Sequence, residues 1–153
     1  MESFHFNEGL GDFEHTNVKI DHPLRNPQRI YSELKHRMAV QKALEMIQTK
    51  MQDRPSLGEL AASTGMSRTY FSHIFRHVMG MRLQEYLMTA RLHKAKDLLG
   101  DNSLKVKQIA FKVGFRDPNY FCRTFKKKVG LSPINWRVRE LLDRSASRKS
   151  RIL

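Results

Sequence analysis

The chain has a single cysteine, Cys122. It cannot close a disulfide within itself, and a reducing compartment is expected. No apolar run comes near the roughly 18 residues that a bilayer-crossing helix needs. The opening residues, MESFHFNEGLGDF, have neither the basic start nor the apolar stretch of a secretory signal. These absences point to a soluble, cytoplasmic protein. The sequence also contains no phosphate-binding glycine loop, no GxSxG, no cysteine cluster and no carboxylate pair in a plausible cleft. That excludes the common enzyme chemistries and leaves no cofactor to expect. His73 and His77 have a metal-compatible i, i+4 spacing, but no third ligand accompanies them and HIFRH lacks the glutamate of a zinc protease. No metal site is expected.

Acidic residues are scarce as well. There are 15 Asp and Glu against 28 Lys and Arg, a formal net charge of +13. The imbalance is uneven: residues 1–30 hold three basic and five acidic residues, and residues 31–153 hold 25 and 10. A strongly basic body calls for a polyanionic partner, of which nucleic acid is the commonest and a membrane surface the next. With 153 residues, 40% of them hydrophobic, the chain has enough material for one globular domain or two very small ones.

Residues 1–30 show no sustained period and are expected to form a flexible arm or linker remnant. From Tyr31 a helical pattern begins, with Leu34, Met38, Leu44, Ile47 and Met51 proposed for its inward face. DRPS ends it. Ser56 and Glu59 have the spacing of a capping box and open a short helix with Leu57, Leu60 and Ala61 inward. Gly65 turns the chain, Ser67 caps a second helix carrying Phe71, Ile74, Phe75 and Met79 inward, and Gly80 ends it. Leu83, Leu87, Leu92, Ala95, Leu98 and Leu99 then mark a linking helix of about 25 Å, stopped at Gly100-Asp101-Asn102.

The earlier pattern now repeats. Leu60-Ala61 and Gly65-Met66 match Ile109-Ala110 and Gly114-Phe115, 49 residues on. Tyr70-Phe71, Phe75 and Gly80 match Tyr120-Phe121, Phe125 and Gly130, 50 residues on. The second copy carries one extra residue in its turn. Helix, short glycine turn, helix is the helix-turn-helix. In the second copy Asp117 caps the second helix, Pro118 fits its first position, and Phe121, Phe125 and Val129 anchor it. Ser132-Pro133 opens a last helix bearing Trp136, and residues 143–153 are expected to be a basic flexible tail.

In such a unit the second helix enters a DNA major groove. The side chains free to do so are Arg68, Thr69, Ser72, His73 and Arg76 in the first copy. In the second they are Arg116, Pro118, Asn119, Cys122, Arg123 and Lys126. Arg123 suits guanine and Asn119 suits adenine. Lys126, Lys127 and Lys128 suit phosphates. The linking helix can hold the two readers about one DNA turn apart, roughly 34 Å, so that one chain reads successive major grooves of a double-stranded site and bends the duplex if the two are rigidly held.

The stretches LGELAASTGMSRTYFSHIFR, ARLHKAKDLL, QIAFKVGFRDPNYFCRTFKKKVGLSP and the closing WR resemble the DNA-binding domain of the AraC/XylS family of bacterial transcription regulators, from about Pro55 to Arg137 and more loosely from Tyr31. The resemblance implies an all-α fold of seven helices with two helix-turn-helix units. On this pattern the DNA-binding domain runs over 31–142, with units at 56–80 and 105–130 joined by a linking helix at 82–99. It also implies promoter binding in the bacterial nucleoid, most often activation by contact with RNA polymerase. Trp136 stands where the family usually has Tyr, and His73 where Arg or Lys is frequent. Longer members carry a ligand-binding domain ahead of this region, so no small-molecule effector is indicated for this chain.

Blander readings compete at several positions. Phe71, Phe75, Phe121 and Phe125 fall on inward faces and are assigned to the core, not to base stacking. Arg91 could touch a phosphate but is assigned to a structural pairing, and Cys122 could sense redox beside Arg123 but is assigned to a small residue facing DNA, in the place Ser72 takes in the first copy. A non-specific architectural DNA-bending protein is the alternative function.

Overall fold

The computed structural model describes residues 26–149. The expected N-terminal arm lies outside them as far as Arg25, as do residues 150–153 of the expected tail. The described residues divide into two units at the boundary between Leu34 and Lys35. Seven helices and no strands are found among the described residues: α1 (Pro27–Thr49), α2 (Leu57–Ser63), α3 (Arg68–Met79), α4 (Leu83–Leu99), α5 (Val106–Lys112), α6 (Pro118–Val129) and α7 (Pro133–Lys149).

Local chemistry explains most of the boundaries. Asn26 Oδ1 accepts from the Arg29 N–H at 3.3 Å, and Pro27 follows it at the first helical position. This starts α1 four residues ahead of Tyr31. At α2 the Ser56 N–H donates to Glu59 Oε2 at 2.7 Å and the Glu59 N–H donates to Ser56 Oγ at 3.2 Å, the reciprocal capping box. These bonds hold the Glu59 carboxyl below its ordinary pKa. Ser67 Oγ caps α3 through Tyr70 N–H, and Asp117 Oδ1 caps α6 through Asn119 N–H. Gly80 and Gly130 close those two helices in the left-handed conformation. Ser132 Oγ caps α7 through Asn135 N–H. That helix continues through Lys149, so residues 143–149 are helical where the sequence pattern suggested a tail.

The sequence repeat becomes a structural repeat. α2 and α5 each have 7 residues, and α3 and α6 each have 12. The extra residue is Arg116, which lengthens the turn between Phe115 and the cap Asp117.

Two apolar clusters share α4. The first joins Val40, Ala43 and Ile47 of α1, Leu60 and Ala61 of α2, Phe71, Ile74 and Phe75 of α3, and the start of α4 as far as Ala90. The second begins at Leu92 and takes in Ile109, Ala110, Val113, Phe115, Phe121 and Phe125. Met51 packs against both. Within α1 the buried residues are Ala39, Val40, Ala43 and Ile47. Leu34 and Met38, expected inward, are 55% and 72% exposed. The apolar residues of α1 are scattered around the helix, so period alone leaves its phase open. The structure selects the stripe with two alanines, which lets the neighbouring helices approach closely.

Arg137 of α7 ties the far end of α4 to the rest. Its Nε donates to Leu99 O at 3.1 Å and its Nη2 donates to Leu104 O at 2.6 Å. Carbonyls at and beyond the end of α4 are thus satisfied by a cation, the sign that the helix C-terminus favours.

Candidate nucleic-acid interface

Each recognition helix has a sharp division of faces. In α3, Phe71 and Phe75 are fully buried with Ile74 beside them. Thr69, Ser72, His73 and Arg76 lie on the other side and are exposed. In α6, Phe121 and Phe125 are fully buried, and Asn119, Arg123, Lys126 and Lys127 are exposed. The spacing 119, 123, 126, 127 keeps these four side chains on one face of the helix.

The buried phenylalanines hold those faces in place. Phe71 and Phe75 have ring centroids 6.0 Å apart, and Phe75 meets Tyr86 of α4 edge-on at 5.7 Å. Phe115, Phe121, Phe125 and Trp136 form a continuous aromatic chain with centroid spacings of 5.1, 5.6 and 6.3 Å. Such pairs contribute about 0.5–1.5 kcal/mol each beyond the area they bury. None of the four helix phenylalanines offers a face to a base.

The remaining expected residues differ in their surroundings. Arg68 and Arg116 are exposed. The Arg68 guanidinium rests over Gly58 of α2: a Cβ added there would lie 2.9 Å from Arg68 Nε. Pro118 is half-buried at the first position of α6. Cys122 is half-buried and packs against the second core. Burial pushes its thiol pKa up, and Asp117 adds to the shift. His73 and His77 are exposed, and no group of three or more metal-ligating side chains exists among the described residues.

Lys126, Lys127 and Lys128 occupy the last turn of α6. Cations there are favoured by the helix dipole and by the free carbonyls of the last turn. They form an exposed basic ridge directly beyond the recognition face.

Sequence reasoning did not foresee the surroundings of three side chains. Tyr70, at the start of α3, shares a hydrogen bond with His36 of α1 (Nε2 to hydroxyl oxygen, 2.8 Å), bracing the first recognition helix. Arg54 was no more than part of the stop after the first helix, yet it is the one non-glycine residue with positive φ among the described residues, at 58°. Arg91 was assigned a structural pairing, but no carboxylate pairs with it among the described residues.

Comparison with known proteins agrees with this geometry. A family described as a helix-turn-helix domain matches residues 60–139. An uncharacterised HTH-type transcriptional regulator of Escherichia coli, YijO, is 44% identical over 72 residues, covering 47% of this chain and 25% of that protein. The HTH-type transcriptional activator AarP of Providencia stuartii is 30% identical over 99 residues, covering 65% of this chain and 73% of AarP. The DNA-binding domain of the global transcriptional factor AdpA, solved in complex with a target DNA, superposes with a TM-score of 0.65 at 26% identity over 70% of this chain and 96% of that one. Of the first relatives, this chain spans a quarter of YijO and 12% of a second regulator, YtdP of Bacillus subtilis. The duplicated unit, the shared linking helix and these matches converge: the chain belongs to the AraC-type family of helix-turn-helix transcriptional regulators.

Proposed function

We propose that this chain regulates transcription by binding promoter DNA sequence-specifically, with α3 and α6 in successive major grooves. The observation that carries this reading is the pair of equivalent 12-residue helices, each with a buried phenylalanine pair behind it and an exposed polar or basic face in front. A helix of this kind fits the major groove, and its N-terminal half meets base edges.

In this reading Thr69, Ser72, His73 and Arg76 meet the first groove, with Arg68 able to swing from its rest over Gly58. Asn119 and Arg123 read bases in the second groove, where the geometry of bidentate pairing suits adenine and guanine respectively. Arg116, Lys126, Lys127 and Lys128 hold phosphates. Pro118 and Cys122 pack beside the backbone of the site. Activation through contact with RNA polymerase is the favoured outcome at the promoter, supported by the activators among the relatives. The site of action is the bacterial nucleoid.

Selection of bound sites from a random double-stranded pool at physiological salt, with this chain alone, tests the reading. Enrichment of an asymmetric site with two short elements about one helical turn apart is expected. A bound pool without any motif would replace it with architectural, sequence-independent binding.

A further inference from the structure

Two buried side-chain nitrogens lack a hydrogen-bond partner among the described residues, Trp136 Nε1 and Arg91 Nε. The first belongs to a neutral ring that lies beneath Lys96 Nζ, 4.7 Å from the ring centroid. The second belongs to a full positive charge, which is far more costly to leave unanswered.

Arg91 sits where the molecule changes core. Ala90 closes the first cluster and Leu92 opens the second. Its Nε lies against Gly114, in the turn of the second unit: a Cβ there would be 3.2 Å away. The same Cβ would be 3.3 Å from Arg54 Cγ and 2.6 Å from Met51 O. Arg54 therefore reaches the same spot from the loop ahead of the first unit. That loop is drawn tight, with the Arg54 N–H donating to Met51 O at 3.2 Å and φ at 58°.

Arg54 thus brings a second positive charge near Arg91, and among the described residues no carboxylate pairs with either. The Nη atoms of Arg91 make no hydrogen bond and are not among the fully buried unpartnered atoms, so they keep some contact with solvent. Burial and the nearby Arg54 both disfavour the charged form of Arg91. The arrangement costs the free protein stability and is relieved by an anion at the Nη atoms. Arginine remains charged under all ordinary conditions, so it cannot relieve the cost by losing a proton.

We infer that Arg54 and Arg91 form a binding site for a DNA backbone phosphate midway between the two recognition helices. The inference rests on the DNA-binding reading above. A duplex that offers successive major grooves to α3 and α6 carries the intervening minor groove and its flanking phosphates across this midpoint. A guanidinium with Nε buried and Nη atoms in some contact with solvent is already oriented, so little side-chain freedom is lost on contact.

The test uses the full chain, the DNA site selected from the random pool and a scrambled duplex of equal length. Affinity is measured for the wild type, Arg54→Gln, Arg91→Gln and Arg91→Lys across about 50–200 mM salt, with thermal melting of each free protein. Each Gln variant is expected to lower the salt slope by about one, which shrinks the affinity ratio between those salts about fourfold. Selected and scrambled duplexes should weaken alike. Melting temperature should stay level or rise, because an unanswered charge has been removed, and Arg91→Lys should keep the wild-type slope. Wild-type slopes in both Gln variants overturn the site. So does a fall in Arg91→Gln melting while Arg54→Gln keeps the wild-type slope, which marks Arg91 as structural. A wild type without salt-dependent binding to either duplex overturns the DNA reading and this site with it.

Discussion

At the scale of single residues, the proposed interface separates into side chains that read and side chains that hold. Arg123 and Lys127 are both exposed on α6, four residues apart, and in the proposed binding mode only the first reaches base edges. Arg123→Ala is expected to relax discrimination at one half-site by about 1–3 kcal/mol, and Lys127→Ala to weaken selected and unselected duplexes alike. Competition binding with single-base variants of the site distinguishes the two, and unchanged discrimination in Arg123→Ala refutes its assignment as a reader. Cys122 behaves differently from an exposed thiol. It is half-buried, with its pKa raised by burial first and Asp117 second. Its thiolate is scarce at neutral pH, so alkylation of the native chain should run slower than that of the unfolded chain and accelerate only at higher pH than a free cysteine requires. A native rate equal to that of the unfolded chain would remove this residue from the second core.

At the scale of elements, the two turns look alike in sequence and differ in surroundings. Gly65 has φ 71° with nothing within 4 Å of a would-be Cβ. Gly114 has φ 87° and Met51 O only 2.6 Å from that position. Gly65→Ala should cost about 1–2 kcal/mol, the backbone penalty alone. Gly114→Ala adds an overpacking cost of about 1–3 kcal/mol, because the obstructing atom is backbone and cannot rotate away. Chemical denaturation of the two variants measures the difference, and equal losses would mean that the 51–54 loop yields easily. The caps at Ser56, Ser67 and Asp117 and the closing glycines were legible in the sequence because each acts over three or four residues. The phase of α1 was not. Leu34 and Met38 belong to an apolar pattern as good as that of Val40 and Ile47, and only the partner helices choose between them.

At the scale of the whole molecule, one helix carries both cores, so α4 sets the relation between the two readers. Its residues answer to pH as well as to packing. Burial is the main cause holding the His93 pKa below its ordinary value of 6.5; Lys96 adds to the shift and Asp97 opposes it. The folded chain therefore takes up a proton less readily than the unfolded chain. The stability that His93 contributes is complete above about pH 6.5 and is lost as pH falls below that value. Melting temperature should drop between about pH 7 and pH 5, and His93→Gln should flatten part of that drop. Parallel curves for wild type and variant would assign the acid response to other groups.

The sequence by itself determined the helices apart from the start of α1 and the end of α7, the caps at Ser56, Ser67, Asp117 and Ser132, the duplication with its one-residue offset at Arg116, and the two faces of each recognition helix. These follow from period, capping chemistry and turn residues, all of which act between near neighbours in the chain. The tertiary structure alone decided which stripe of α1 is buried, that Cys122 packs inward, and that Arg54 and Arg91 meet beside Gly114. Those outcomes depend on distant segments competing for the same space, and a linear pattern carries no measure of that competition.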